Sequence, residues 1–295
     1  MKADLHSHTR ASDGTDSPAQ LVAAAVSAGL DLLALTDHDT FRAIAETGSL
    51  AEAAGLALLP GAELTCVTAS GVTLHLLAYA PSPDDRVLAE QMAMVRHDRV
   101  PRARRIIRRL REEGGYPVTD EQVLAIAGGA ASVGRPHIAQ ALVDAGGASS
   151  IQDAFDRLLA NGRPYYEPHH AMPVLDAIGW VRAAGGAPVF AHSLARKRGP
   201  VVSDRDFEQM VEAGLAGVEV DHVDHAPEDR AWLRSFAAAH DLLQTGSSDY
   251  HGGRKEGLSL GAYTTSDDQV ERLLAEVGLA LESLPEAARR YAGAR

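Results

Sequence analysis

The sequence predicts an α/β fold in which seven strands close into a (β/α)7 barrel, one unit short of the eight-stranded form, carrying an α-helical insertion. Three observations lead there. Short apolar runs alternate with helical stretches, the rhythm of a parallel sheet covered by helices. Seven such runs can be counted, one fewer than the common barrel has strands. From about residue 83 to 168 the strand rhythm stops, and apolar residues recur at helical spacing instead.

Taken in order, the first run enters Asp4, Leu5 and His6, and the others cover residues 32–36, 56–60, 72–79, 188–191, 217–220 and 242–245. A helix over 41–54, capped by Asp39 or Thr40, is expected between the second and third runs. In the helical stretch, Val100, Ala103, Ile106, Ile107 and Leu110 share one face, and the eight arginines between residues 96 and 111 mostly fall on the other, which predicts a solvated face. Residues 173–184 lead back into strands. The expected division is a barrel domain of residues 1–82 and 169–295 with a helical insertion of residues 83–168 packed on it.

Composition narrows the function. With 295 residues and 45% hydrophobic content, the chain can bury an ordinary core. It shows neither an apolar leader nor the ~20-residue apolar stretch that spans a bilayer, so a soluble, unexported protein is expected. Cys66 is the one cysteine, which excludes an internal disulfide and a cysteine-held zinc site and fits a reducing cytoplasm. A net charge of −12 disfavours a broad surface for duplex DNA. The expected partner is a small substrate or a short strand end.

The chemistry-bearing residues sit where strands end. His6 and His8 alternate along the first strand, so both imidazoles face one side; alone, this pair also fits surface histidines. Asp13 follows in Ser12-Asp13-Gly14, where glycine lets the loop turn back. The second run ends in Thr36-Asp37-His38-Asp39, with Asp37 or Asp39 placed to orient His38. Glu63 follows the third run, His75 lies in the fourth, and His192, then Asp249 and His251, follow later ones. Because the carboxyl ends of barrel strands converge on one face, these nine residues meet in one pocket.

Together, Asp4-Leu5-His6-Ser7-His8, Ser12-Asp13-Gly14, Thr36-Asp37-His38-Asp39, Gly61-Ala62-Glu63, His75, Ala191-His192 and Ser248-Asp249-Tyr250-His251 resemble the polymerase and histidinol phosphatase (PHP) superfamily along the whole chain. The likeness is greatest to its small stand-alone phosphoesterases with a helical insertion, which act on nucleoside 3′,5′-bisphosphates or trim short RNA from its 5′ end. The resemblance implies a distorted seven-stranded barrel and two or three divalent metal ions. One ion would be held by His6, His8, Glu63 and Asp249, a second by Asp13, His38 and His251, and a third by Glu63, His75 and His192, with Glu63 bridging. Nitrogen and oxygen donors suit manganese, iron or zinc. Ser193 stands where the family usually has proline after this histidine.

Two loops of the insertion supply phosphate-binding candidates. Arg135 and His137 flank Pro136 at a helix start, in a segment opening at Ser132, and free N–H groups there favour an anion. Arg163 and Tyr166 combine a guanidinium with an aromatic ring. Arg196 and Arg198 follow His192 as further substrate-binding candidates, and a histidine corresponding to His225 recurs near the active face of relatives, which makes it the candidate for protonating the leaving oxygen. His169 and His170 lie close to the Arg163 loop.

The expected reaction is hydrolysis of a phosphate monoester by a metal-bound hydroxide, releasing the 3′-phosphate of a nucleoside 3′,5′-bisphosphate while Arg135 and Arg163 hold the other phosphate. The alternatives are a 5′→3′ exoribonuclease on short RNA, a histidinol-phosphate-type phosphatase, an amidohydrolase, and a metal-binding module without catalysis.

Overall fold

The computed structural model describes residues 1–128, 133–168, 170–254 and 258–294. Its strands are β1 (Ala3–Asp4), β2 (Leu32–Leu35), β3 (Ala57–Val67), β4 (Thr73–Tyr79), β5 (Met172–Pro173), β6 (Ala187–Phe190), β7 (Gly217–Asp221) and β8 (Leu243–Gly246). Seven of them follow one another in the sheet as β1-β2-β3-β4-β6-β7-β8, and the two-residue β5 pairs with β3 off this path. The ring closes through bridges between Ala3 and Thr265 and between Ser7 and Tyr250. His8 N–H donates to the Tyr250 carbonyl at 2.9 Å, so the closure runs through the segment that carries His6 and His8.

One strand departs from the expected parallel barrel. β4 is antiparallel to both β3 and β6. The reason is local: a parallel return needs a crossover of a dozen or more residues, whereas β3 extends to Val67 and β4 begins at Thr73. The turn between them is closed by Thr68 N–H on the Val72 carbonyl at 2.9 Å, with Gly71 at φ 85 supplying the left-handed residue. The third run is thus twice as long as its apolar stretch predicts, and Glu63 lies within a strand rather than after one.

Strand alternation sorts the core. Leu32 and Ala34 join Leu5, Leu59, Leu77, Tyr79, Val189 and Leu243 inside the barrel, whereas Leu33 and Leu35 face outward into a second cluster. That outer cluster includes residues of helices α1 (Pro18–Ser27) and α2 (Ile44–Ala53). Helix α2 starts later than expected, because Phe41 is buried in a turn and the cap residue is Ala43.

Helices α3 (Arg86–Glu112), α4 (Asp120–Ile126), α5 (Arg135–Asp144) and α6 (Ile151–Ala154) follow β4, and a π-turn at Phe155–Leu159 continues α6. They build a third apolar cluster from Ile106, Leu110, Val123, Ile138, Leu142 and Leu158. The long α3 serves two cores: Leu88, Met92 and Val95 pack against the barrel, while Ala103, Ile106, Ile107 and Leu110 face the helical cluster. The change falls at Pro101, which cannot donate a helical hydrogen bond. Helices α7 (Val174–Ala183), α8 (Asp204–Glu212), α9 (Pro227–Ala239), α10 (Asp267–Glu276) and α11 (Leu284–Arg289) complete the chain. Among the described residues no helix is long and apolar enough to cross a membrane. Ser132 and His169 lie outside the described residues.

Candidate active site

Parallel strands deliver their carboxyl ends to one rim, and the reversed β4 brings its beginning there instead, which is why His75 stands near the start of its strand. Glu63 occupies the centre. Its Oε2 lies 3.1 Å from His6 Nε2, 3.1 Å from His8 Nε2 and 3.2 Å from His38 Nδ1. Its Oε1 lies 2.7 Å from His75 Nδ1 and 3.0 Å from His192 Nε2. Asp249 Oδ1 is 3.4 Å from His6 Nε2, His8 Nε2 and His251 Nδ1 alike. Asp13 reaches His251 Nε2 at 3.3 Å and His38 Nε2 at 3.7 Å. The nine residues singled out in the sequence therefore lie together.

Among the described residues, three sets have donor atoms all within 4.8 Å of one another: His6, His8, Glu63 and Asp249; His8, Asp13, His38 and His251; and His38, Glu63 and His75. The first repeats the set implied by resemblance, the second adds His8 to it, and the third takes His38 in place of His192. A separate observation tests whether cations fit. His6 Nε2, His8 Nε2, Asp13 Oδ1, His38 Nδ1 and His75 Nδ1 are buried without a hydrogen-bond partner. Buried polar atoms are nearly always paired, so four orphaned imidazole nitrogens converging on Glu63, with an orphaned oxygen of Asp13 nearby, fit cation ligands. Divalent metal ions are the cofactors this donor chemistry calls for.

The electrostatics agree. Burial opposes charge on His8, but Asp249 and Glu63 beside it raise its pKa to about 9. Burial wins at His38, held down to about 3 despite Glu63, and at His192, held at about 3 by burial and by the charge of Arg198. Burial would raise Glu63, yet His38, His75 and His6 keep it well below the usual carboxylate range. The pocket thus favours ionised carboxylates facing imidazoles, the protonation pattern from which a cation displaces protons.

Glu219, which the sequence reading passed over, holds the cluster from behind. Fully buried in β7, it accepts from His6 Nδ1–H at 3.2 Å, from the His192 N–H at 2.7 Å and from the Ser247 hydroxyl. The first of these bonds turns His6 Nε2 toward Glu63 and Asp249. A sequence signal existed: an acid between valines in Gly217-Val218-Glu219-Val220 needs a buried partner.

Neither Asp37 nor Asp39 bonds the His38 ring directly, the contact the sequence led us to expect. Asp37 accepts from Thr9 N–H at 2.8 Å and from the Thr9 and Ser12 hydroxyls at 2.6 Å, fixing the loop that bears Asp13. Asp39 accepts from Thr65 N–H and the Thr65 hydroxyl, both at 2.8 Å.

The substrate candidates separate. A cavity of about 160 Å³ opens beside the cluster, lined by His75, His192, Ser193 and Arg198 and reaching Arg135 and Asn161. Arg135 begins α5 as expected and donates to the Leu159 carbonyl at 3.1 Å, its guanidinium lying 5.4 Å from the Tyr166 ring centre. Arg198 pairs with Asp249 at 2.8 Å and Asp224 at 2.7 Å. Arg163 is exposed and lies outside the cavity, where Asn161 of the same loop stands in its place. Arg196 turns away to Asp229 at 3.1 Å. His137 is buried, and its Nδ1 accepts from the Gly134 N–H at 2.9 Å at the start of α5.

His225 is also repositioned. Its Nδ1 donates to the Val220 carbonyl at 2.8 Å and its Nε2 accepts from Leu194 N–H at 3.1 Å, so both ring nitrogens serve the backbone. His222 is the one beside the cluster, with Nε2 3.4 Å from Asp249. The α3 arginines are not simply a solvated face: Arg102 is only 6% exposed, and burial with the nearby charge of Arg135 pushes its pKa down to about 9.

Comparison with known proteins fits this geometry. Residues 4–160 match the model of the PHP domain. The chain is 31% identical over 258 residues to the 3′,5′-nucleoside bisphosphate phosphatase of Chromobacterium violaceum, covering 88% of this chain and 90% of that one. It is 34% identical over 250 residues to the 5′-3′ exoribonuclease Rnm of Escherichia coli, covering 84% of each. A crystal structure from Bifidobacterium adolescentis, assigned as a metal-dependent phosphoesterase, superimposes with a TM-score of 0.87 at 38% identity, over 93% of this chain and 96% of that one. Barrel, donor cluster and these likenesses together define a metal-dependent phosphoric ester hydrolase. The chain belongs to the PHP domain family.

Proposed function

We propose that the chain removes the 3′-phosphate from a nucleoside 3′,5′-bisphosphate. The observation that carries this reading is the cavity, which joins His75 and His192 of the cluster at one end to Arg135 and Asn161 at the other. In this reading one phosphate lies at the donor cluster and the second against Arg135, so that remote binding energy would position the reacting group. The likeness to the Chromobacterium violaceum phosphatase supports it.

Two or three ions of manganese, iron or zinc are assigned to His6, His8, Glu63 and Asp249, to Asp13, His38 and His251 with His8, and to Glu63 and His75 with His38 or His192. When bound, such ions lower the pKa of water and neutralise phosphate oxygens. Glu219 keeps His6 Nε2 aimed inward, and Arg198 holds Asp249 from the pocket side. The proposed division keeps residues 1–82 and 169–295 as the barrel and 83–168 as the insertion that supplies Arg135 and Tyr166; the separate apolar cluster of the insertion supports it. The reading takes a small phosphorylated nucleotide as partner, neither duplex DNA nor a membrane, and a cytoplasmic location in keeping with the single, buried Cys66.

Arg135→Ala tests the substrate. Loss of a charge-assisted contact costs about 1.5–3 kcal/mol, so kcat/KM for a 3′,5′-bisphosphate is expected to fall roughly ten- to a hundredfold while hydrolysis of an aryl phosphate changes little. Arg163→Ala is expected to change neither. Equal losses on both substrates would move Arg135 to the reacting phosphate. A wild-type preference for 5′-phosphorylated dinucleotides would favour exonucleolytic trimming, the activity named for the Escherichia coli relative.

A further inference from the structure

The helix α3 reaches the donor cluster through a residue that is no candidate ligand. Asp39 follows His38, is fully buried and has φ 51, a left-handed conformation uncommon outside glycine. Its N–H donates to the Glu63 carbonyl at 3.0 Å, and its carboxylate holds both donors of Thr65. Asp39 therefore ties the loop of His38 to the strand of Glu63, two residues that share a candidate metal set.

Two arginines of α3 complete this tie. Arg96 donates to the Asp39 carbonyl, and Arg99 donates to the Asp39 carboxylate and, at 3.0 Å, to the Thr65 hydroxyl. The Arg99 side chain is 11% exposed and that of Asp39 wholly enclosed. Removing one partner of such a pair leaves a buried charge uncompensated. Without Arg99 the Asp39 carboxylate loses the donor that clamps it against Thr65, and the link between His38 and Glu63 loosens.

We propose that Arg99 is a positioning residue for the metal centre, acting through Asp39 and Thr65 to hold His38 and Glu63 at the spacing the ions require. The inference rests on the assignment of His38 and Glu63 as ligands. It gives α3 a second duty beside packing: Arg99 serves the cluster, and Arg102, one turn further on, donates to the Glu167 carbonyl at 2.7 Å and lies 5.8 Å from the Tyr166 ring centre, next to Arg135.

Manganese titration of metal-free protein, followed through the paramagnetic signal of the free ion, tests this without reference to turnover. Wild-type protein is expected to bind at least two ions, and Arg99→Ala to bind at least one of them about ten- to a hundredfold more weakly, the usual effect of losing a group that holds a ligand in place. Arg99→Lys is expected to recover part of that loss, because a cation returns without the planar guanidinium that directs one nitrogen at both Asp39 and Thr65. Circular dichroism establishes that each variant is folded. If Arg99→Ala fails to fold, Thr65→Val, which removes the shared hydroxyl at nearly constant volume, carries the same expectation. Wild type without bound manganese would overturn the ligand assignment and the inference with it. Wild-type affinity and stoichiometry in folded Arg99→Ala, or in Thr65→Val where that variant stands in, would overturn the inference alone.

Discussion

Glu63→Gln is expected to reduce phosphatase turnover by at least about a thousandfold, equivalent to ~4 kcal/mol of lost transition-state stabilisation. The side chain is nearly isosteric, so the enclosed position remains filled. What changes is charge and donor capacity. The two carboxylate oxygens meet His6, His8 and His38 on one side and His75 and His192 on the other, and an amide presents only one oxygen to this ring. Each imidazole set loses its common anion, so metal content should fall along with turnover. Near-normal turnover with full metal content would show that Glu63 is a core acid with no part in the chemistry.

Asp13→Ala is expected to lower turnover by about a hundredfold, less than the Glu63 change. Asp13 lies on the loop after β1, and its side chain is 12% exposed, so little packing is lost. It contributes to the His8, Asp13, His38 and His251 set and not to the His6, His8, Glu63 and Asp249 set. One set should therefore empty while the other keeps its ion, and losing one Lewis acid removes several kcal/mol of charge stabilisation. Metal analysis of the variant reads this as a stoichiometry reduced by one. Unchanged stoichiometry and rate would leave Asp13 as a turn residue.

Eight of the nine cluster residues were legible because each stands at or near an apolar run whose end converges with the others on one rim, while Asp13, on a loop, was legible only through the turn that Gly14 permits. The direction of β4 was not read, since a period-two apolar run is the same in either direction; the clue lay in the shortness of the segment between Val67 and Thr73. Glu219 was missed because a reading centred on strand ends gives no weight to an acid within a strand. His222 and His225 share one loop, and which ring turns to the backbone depends on the carbonyl of Val220 and the amide of Leu194, partners brought together only by folding. Arg163 and Asn161 divide in the same way: charge drew attention to the arginine, while the chain path turns the asparagine toward the cavity. The arginines of α3 were assigned to solvent by helical periodicity, which cannot show that Arg99 faces a buried aspartate of the barrel.

Phosphate release is expected to depend on divalent ions bound by the imidazole and carboxylate cluster. Its most direct measurement is inorganic phosphate released from a nucleoside 3′,5′-bisphosphate by protein of known metal content, before chelation, after it, and after manganese is restored. The expected result is at least two ions per chain, release of one phosphate to leave the 5′-monophosphate, loss of activity on chelation and its return with manganese. Turnover that persists in metal-free protein, or metal-loaded protein that releases no phosphate from any ester, would contradict it.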